Sequence, residues 1–153
     1  MDNLLNKKAP KFNLQDTNGN YVSLDKFIGQ WLVIFFYPKD NTPGCTKEAC
    51  LIRDDYAKIK SLNTEIIGIN TDNLSSHLNF KEKYHLPFTL LSDPDGLICK
   101  KYDALMKFWF IKISKRRSVI INPEGMIKKI YPQVSPSQHS LEIIKDITLL
   151  QSN

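Results

Sequence analysis

The stretch "WLVIFFYPKDNTPGC", residues 31–45, decides the fold. Its first seven residues are apolar without alternation. A strand covered on both faces has that pattern, so these residues mark the middle of a sheet and not an edge. Pro38, Lys39, Asp40 and Asn41 are loop formers, and a helix start follows, with Thr42 as cap and Pro43 in the first helical position. A buried strand running straight into a helix is the building unit of an α/β sheet.

The rest of the chain extends this reading. A helix is expected from about Cys45 to Leu62, with Ala49, Ile52, Tyr56, Ile59 and Leu62 on one stripe. A second buried strand, "EIIGIN", follows. Next come a helix over about Leu74 to His85, the strand "FTLL", the turn "SDPDG" and a third helix near Leu97 to Leu105. "SVIIN" and "MIKKI", joined by "PEG", form a hairpin in which Pro123 fixes φ and Gly125 leaves the turn. Ser135 as cap, Pro136 and Gln138 mark the start of a last helix. Near the N-terminus, two strands flank "DTNGN", where Asn18 and Gly19 are expected to supply positive φ. No repeat or low-complexity tract interrupts the pattern. The 153 residues read as one domain, 1–153, an α/β fold with a central mixed sheet flanked by helices. A chain of this size buries about two thirds of its unfolded surface, so it needs no disulfide or metal to hold it.

The N-terminal "MDNLLNKKAPKF" has no apolar run of signal-peptide length, and Trp31 to Tyr37 is too short to span a membrane. A cytoplasmic protein is expected. In that reducing setting, three cysteines point to redox chemistry or metal binding before structural disulfides. The net charge of +5 is local: residues 100–129 hold nine Lys/Arg against Asp103 and Glu124. Such a basic face steers ligands or partners. It lacks the interleaved aromatic platforms of a nucleic-acid binder, so no nucleic-acid partner is expected, and no membrane partner either.

Cys45 falls in the first turn of the expected helix, where unpaired N–H groups and the positive end of the helix dipole favour an anion, and hence a thiolate. Ionisation alone has limited reach. A thiol with the reference pKa is only ~3% ionised at pH 7, so complete ionisation gains at most about thirtyfold in rate. A fast reaction also needs oriented substrate and donors for the leaving atom, such as the Thr42 hydroxyl, the Cys45 N–H and a nearby guanidinium.

Cys50 lies five residues on. On an ideal helix, residues so spaced have Cα atoms about 8.7 Å apart and point ~140° apart, beyond the ~7 Å reach of a disulfide. The two thiols cannot bond while the helix is intact. Were Cys45 oxidised to a sulfenic acid, unwinding the first turns would let Cys50 condense with it.

"PKDNTPGC" followed by "TKEAC", with Pro38, Thr42 and Cys45 in a P-x-x-x-T-x-x-C pattern, resembles the peroxiredoxins, and among them the bacterioferritin comigratory protein or peroxiredoxin Q subfamily. The likeness runs from "APKFNLQDTNG" through "FTLLSDPDG" and "SVIINPEGMIKKI" to "SPSQHSLEIIKDI". It implies a thioredoxin-like fold with a peroxiredoxin N-terminal hairpin and helical additions. The implied activity is reduction of hydrogen peroxide and organic hydroperoxides by a cysteine thiolate, in antioxidant defence. By position Cys45 matches the peroxidatic cysteine, Cys50 the resolving cysteine that closes an intrachain disulfide, and Thr42 the hydroxyl that contacts peroxide and thiolate. Glu48 matches the acid that positions an arginine, and Pro38 the residue that shields the site. Arg117, beside "SVIIN", matches the arginine itself, with Arg116 the alternative one register away; with Arg117 inward, Lys115 and Arg116 can form a solvated basic turn. The resemblance further implies recycling by thioredoxin or a glutaredoxin-like reductant, a monomer, and no metal, haem or flavin. Between Tyr102 and Ser118 the chain departs from the family, with Asp103 where glycine commonly follows the tyrosine.

Other residues read more plainly. Cys99, beside Leu97 and Ile98, is expected to be a buried spectator. His77, His85 and His139 show no metal-ligand spacing and are expected in surface or helix-flanking roles. "FWF" at 108–110 fits either a contact for a partner or substrate or packing over the site. Two rival readings stay open: a metal module using Cys45, Cys50 and Cys99, and a redox switch whose disulfide only changes shape.

Overall fold

A computed structural model describes residues 3–152. The apolar run forms β3 (Trp31–Phe36), whose side chains alternate between two apolar layers. Val33 and Phe35 enter one layer, Leu32, Ile34 and Phe36 the other. Burial on both faces explains the unbroken apolar sequence. Beside β3 run β4 (Thr64–Asn70), in parallel, and β8 (Arg117–Ile121), antiparallel. Outward from these lie β5 (Thr89–Ser92) on one side and β9 (Ile127–Tyr131) on the other. The hairpin of β1 (Asn13–Gln15) and β2 (Tyr21–Ser23) completes the seven-stranded mixed sheet, ordered β2-β1-β5-β4-β3-β8-β9. This is the thioredoxin-like arrangement expected from the sequence.

Among the described residues four helices cover the sheet: α1 (Pro43–Ser61), α2 (Leu74–Tyr84), α3 (Leu97–Lys101) and α4 (His139–Gln151). One apolar layer joins α1 through Ala49 and Ile52 to α4 through Ile143 and Ile147, with Phe80 of α2. The other lies under the N-terminal segment, a 3₁₀ turn at Leu24–Phe27 and α3. Gly68 shows how tightly the first is filled: a Cβ there would lie 2.8 Å from the Phe35 ring and 2.9 Å from Leu90. Phe35 in turn stacks on Tyr37 at 5.2 Å.

Four local expectations change. The β1–β2 turn closes not on paired positive φ at Asn18 and Gly19 but on Asp16, whose Oδ1 accepts from the Asn18 and Asn20 N–H groups; only Gly19 has positive φ, at 80°. α3 stops at Lys101 and not Leu105. Asp103 takes φ 55° while the Asp103 and Ala104 N–H groups return to the Lys100 and Cys99 carbonyls. That double bond pattern ends helices, usually with glycine at the left-handed position, so Asp103 fills the glycine role in its own way. The stretch after it pairs as a separate hairpin, β6 (Leu105–Phe108) with β7 (Ile111–Ser114). Finally, α4 starts at His139. The Gln138 N–H bonds to the Ser135 carbonyl and closes a turn before the helix, so Ser135 and Pro136 precede it.

Candidate active site

The end of β3 and the start of α1 are joined by residues 37–42, held by a buried polar network. The Tyr37 hydroxyl donates to Asp40 Oδ1 at 2.6 Å, and the Asp40 N–H donates to Asp72 Oδ2 at 2.8 Å. Asp40 Oδ2 meets His77 Nδ1 at 2.6 Å and accepts from the Ser76 hydroxyl at 2.8 Å. His77 Nε2 lies 2.9 Å from the Leu91 carbonyl, which can only accept, so that ring nitrogen donates. Burial pushes the Asp40 carboxyl up, but the bonds from His77, Tyr37 and Ser76 outweigh it and hold the group below its usual range. Tyr37 is driven well above its ordinary value, first by burial and then by Asp40. The network fixes the loop from below, while Asn41 turns the chain with φ 63°.

Thr42 holds the cap position of α1 with extended backbone, and Pro43 is the first helical residue, as the sequence indicated. The hydroxyl does not cap; it donates to the Lys39 carbonyl at 2.8 Å. Its lone pairs remain available to accept. Cys45 follows in the first turn, where helix geometry leaves its N–H without an intrahelical acceptor. The side chain is buried, with 1% of the residue exposed.

The cation at this thiol is Arg116, not Arg117. Arg116 Nη2 donates to Cys45 Sγ at 3.2 Å and Nη1 to Glu48 Oε1 at 2.8 Å, one guanidinium bridging two groups on α1. Arg117 is buried, and its Nε donates to the Tyr102 carbonyl at 2.9 Å. Strand alternation is the physical reason. In β8, Val119 and Ile121 enter the layer shared with α3 and Tyr102, whereas Ile120 enters the layer shared with α1. Arg116 has the parity of Ile120, and Arg117 that of Val119. The expectation of a solvated Arg116 is therefore reversed. Gly44 leaves room for the guanidinium, since a Cβ there would stand 3.1 Å from Nη2.

Glu48 is fully buried, with Oε2 unpaired. Burial pushes its carboxyl up to about 7, against the opposing pull of Arg116. Cys50 sits half-buried on the same intact helix, and all three cysteines are free thiols. Cys99 is buried, and its thiol is pushed up by burial and by Asp93, as befits a spectator. Two histidines depart from expectation. His77 belongs to the loop network, and His139 is buried against the Ser118 hydroxyl at 2.8 Å. Burial, aided by the Arg116 charge, pushes His139 down to about 4 and keeps it neutral. Neither role could be read from spacing, because His77 and Asp40 stand 37 residues apart and meet only through the fold. His85 ends α2 with φ 53°, a helix-flanking place as expected.

An open cleft of about 820 Å³ reaches the site, lined by Met106, Lys115, Arg116, Pro132 and Val134 among others. Among the described residues, no group of three or more His, Cys, Asp or Glu could hold a metal ion. No helix of the described residues is long and apolar enough to cross a membrane.

A thiol at a helix N-terminus of a thioredoxin-like sheet, with an arginine fork on its sulfur, defines a redox thiol protein. The family model for AhpC/TSA matches residues 5–130. The chain is 41% identical over 142 residues to a putative peroxiredoxin bcp of Coxiella burnetii, covering 90% of this chain and 94% of that one. It is 43% identical over 145 residues to the chloroplastic peroxiredoxin Q of Oryza sativa subsp. japonica, spanning 94% of this chain but 65% of the longer relative. The crystal structure of peroxidoxin BcpB from Mycobacterium tuberculosis superposes with a TM-score of 0.90 at 25% identity, covering 95% and 96% of the two chains. The chain belongs to the AhpC/TSA family, as a peroxiredoxin of the bcp and Q type, and is a thiol-dependent peroxidase.

Proposed function

We propose that Cys45 is the peroxidatic cysteine and that Arg116, not Arg117, is the arginine that polarises the peroxide and holds the thiolate. The Cys45 thiolate attacks the terminal oxygen of a hydroperoxide. The O–O bond breaks, an S–O bond forms, and the leaving oxygen takes a proton to depart as water or an alcohol. Sulfur is oxidised to sulfenic acid and the peroxide is reduced. The Cys50 thiol then attacks that sulfur and expels water, closing an intrachain disulfide that a thioredoxin or glutaredoxin-like dithiol reduces.

The observation that carries this reading is the arginine fork. A guanidinium anchored on Glu48 offers Nη2 to sulfur, so positive charge is in place before negative charge moves onto the leaving oxygen. The Thr42 hydroxyl, its own proton committed to Lys39, presents lone pairs to the hydroperoxide hydrogen and orients the attacked oxygen. Pro38, half-buried beside the loop, limits water. The resolving step requires α1 to unwind at its start, since both cysteines lie on it.

The chain acts as one domain and as a monomer, in a reducing cytoplasm, needing no cofactor. With excess dithiol reductant, each chain consumes many equivalents of hydrogen peroxide, and Cys45→Ser abolishes turnover. A chain oxidised only once per reductant addition would instead be a switch.

A further inference from the structure

The β6–β7 hairpin stands apart from the main sheet and carries the most exposed large apolar side chains among the described residues: Phe108, Trp109 and Phe110, at 69%, 78% and 87% exposure. Strand alternation makes it two-faced. Met106, Phe108, Ile111 and Ile113 share one face, wholly apolar, and Met106 lines the cleft that leads to Arg116. The opposite face carries Lys107 and Lys112, directly paired across the strands. Lys112 Nζ donates to the Asp95 carbonyl at 3.1 Å, and Lys107 stands beside it with the same sign of charge.

Beside that second face, a cleft of about 290 Å³ is lined by Lys100, Lys107 and Lys112 together with Asp95, Asp103 and Leu105. Residues 97–115 hold five lysines and one aspartate. The tip residue Trp109 has φ 59°, a position where glycine or asparagine is the unstrained choice. A bulky aromatic held there against its backbone preference, between two phenylalanines and within a lysine-rich segment, has the composition of an interfacial anchor: aromatics at the headgroup level and cations facing anionic lipid.

We propose that this hairpin docks the protein on the surface of an anionic lipid bilayer, with the aromatic tip in the interface and Lys100, Lys107 and Lys112 on the headgroups. The docking does not depend on the peroxidase reading above. No membrane partner is expected from the sequence, because a short aromatic run within a basic segment spans nothing. It is the exposure of the run on a two-faced hairpin that points to a surface.

The test is co-sedimentation of the protein with phosphatidylcholine vesicles containing 30 mol% phosphatidylglycerol, beside pure phosphatidylcholine vesicles. A surface lysine contributes about fivefold in affinity for an anionic surface, so three give roughly a hundredfold preference for the anionic vesicles, declining with added salt. The variant Phe108→Ser/Trp109→Asn/Phe110→Ser puts asparagine where φ is positive, so the hairpin is retained. It binds at least about 30-fold more weakly, since burying each aromatic contributes on the order of tenfold. Its turnover of hydrogen peroxide stays at the parent level. Equal partition of the parent protein onto both vesicle types, or undiminished binding of the variant, overturns the proposal. A lipid-independent dimer in sedimentation velocity that the variant abolishes, without vesicle binding, also overturns it and makes the hairpin a self-association surface. Hydrogen peroxide turnover on the same samples reports on the peroxidase reading separately.

Discussion

Replacing Arg116 by methionine keeps much of the apolar stem and removes the charge and both hydrogen bonds, at 3.2 Å to Cys45 Sγ and 2.8 Å to Glu48 Oε1. A hydrogen bond to a charged group contributes about 1.5–3 kcal/mol. If that bond holds the thiolate and stabilises the departing oxygen, its loss slows sulfenic acid formation by about 10- to 150-fold at neutral pH. Stability falls less than for most broken buried ion pairs, because Glu48, already pushed to about 7 by burial, takes up a proton when the guanidinium leaves. Arg116→Lys recovers only part of the rate, since a point charge cannot serve sulfur and carboxylate together. Arg117→Met has the opposite profile. It leaves the Tyr102 carbonyl without the Nε donor on the far face of the sheet, costing about 1–3 kcal/mol of stability, with the oxidation rate within about threefold of the parent. Quenched-flow trapping of the sulfenic acid gives the rates, and urea unfolding gives the stabilities. An Arg116→Met rate within threefold of the parent, or a folded Arg117→Met variant slowed as much as Arg116→Met, refutes the assignment.

Two further substitutions separate activity from stability. Gly44→Ala gains helix propensity, roughly 1 kcal/mol, yet its Cβ at 3.1 Å displaces Nη2, so peroxide reduction slows several-fold while urea stability holds or rises. Loss of both or of neither contradicts this. Glu48→Gln tests burial: with a folded-state value of about 7 against an ordinary value near 4.5, the native state binds the extra proton between them. The wild-type protein therefore loses stability, on the order of 3 kcal/mol, as pH rises from about 4.5 to 7, and the Gln variant lacks that slope. Urea titrations at several pH values read the difference. A parallel pH dependence for both proteins is the contrary result.

How far the sequence reached is visible residue by residue. The two-sided burial of β3, the loop chemistry at Lys39 to Asn41 and the Thr42–Pro43 start of α1 are local properties, and they put Cys45 in the first turn of α1, where it stands. Adjacency to the strand favoured Arg117, whereas the guanidinium at Cys45 is that of Arg116, as strand parity requires. Counting back by twos from Ile120, which faces α1, reaches Arg116, so the signal was present. The β6–β7 hairpin was not legible in the same way, since Leu105 continues an apolar helix pattern and only the left-handed turn at Asp103 ends it. The roles of His77 and His139 depend on partners 37 and 21 residues away, Asp40 and Ser118, and no local pattern carries such meetings.

Non-reducing peptide mapping of fully reduced protein after one equivalent of hydrogen peroxide decides whether Cys45 is peroxidatic and Cys50 resolves it. A rapid Cys45–Cys50 link with Cys99 still free is the expected result, and it requires the first turns of α1 to open. A Cys45–Cys99 link, or a Cys45 that stops at sulfenic acid, contradicts the resolving step, and three unreacted thiols contradict the claim as a whole.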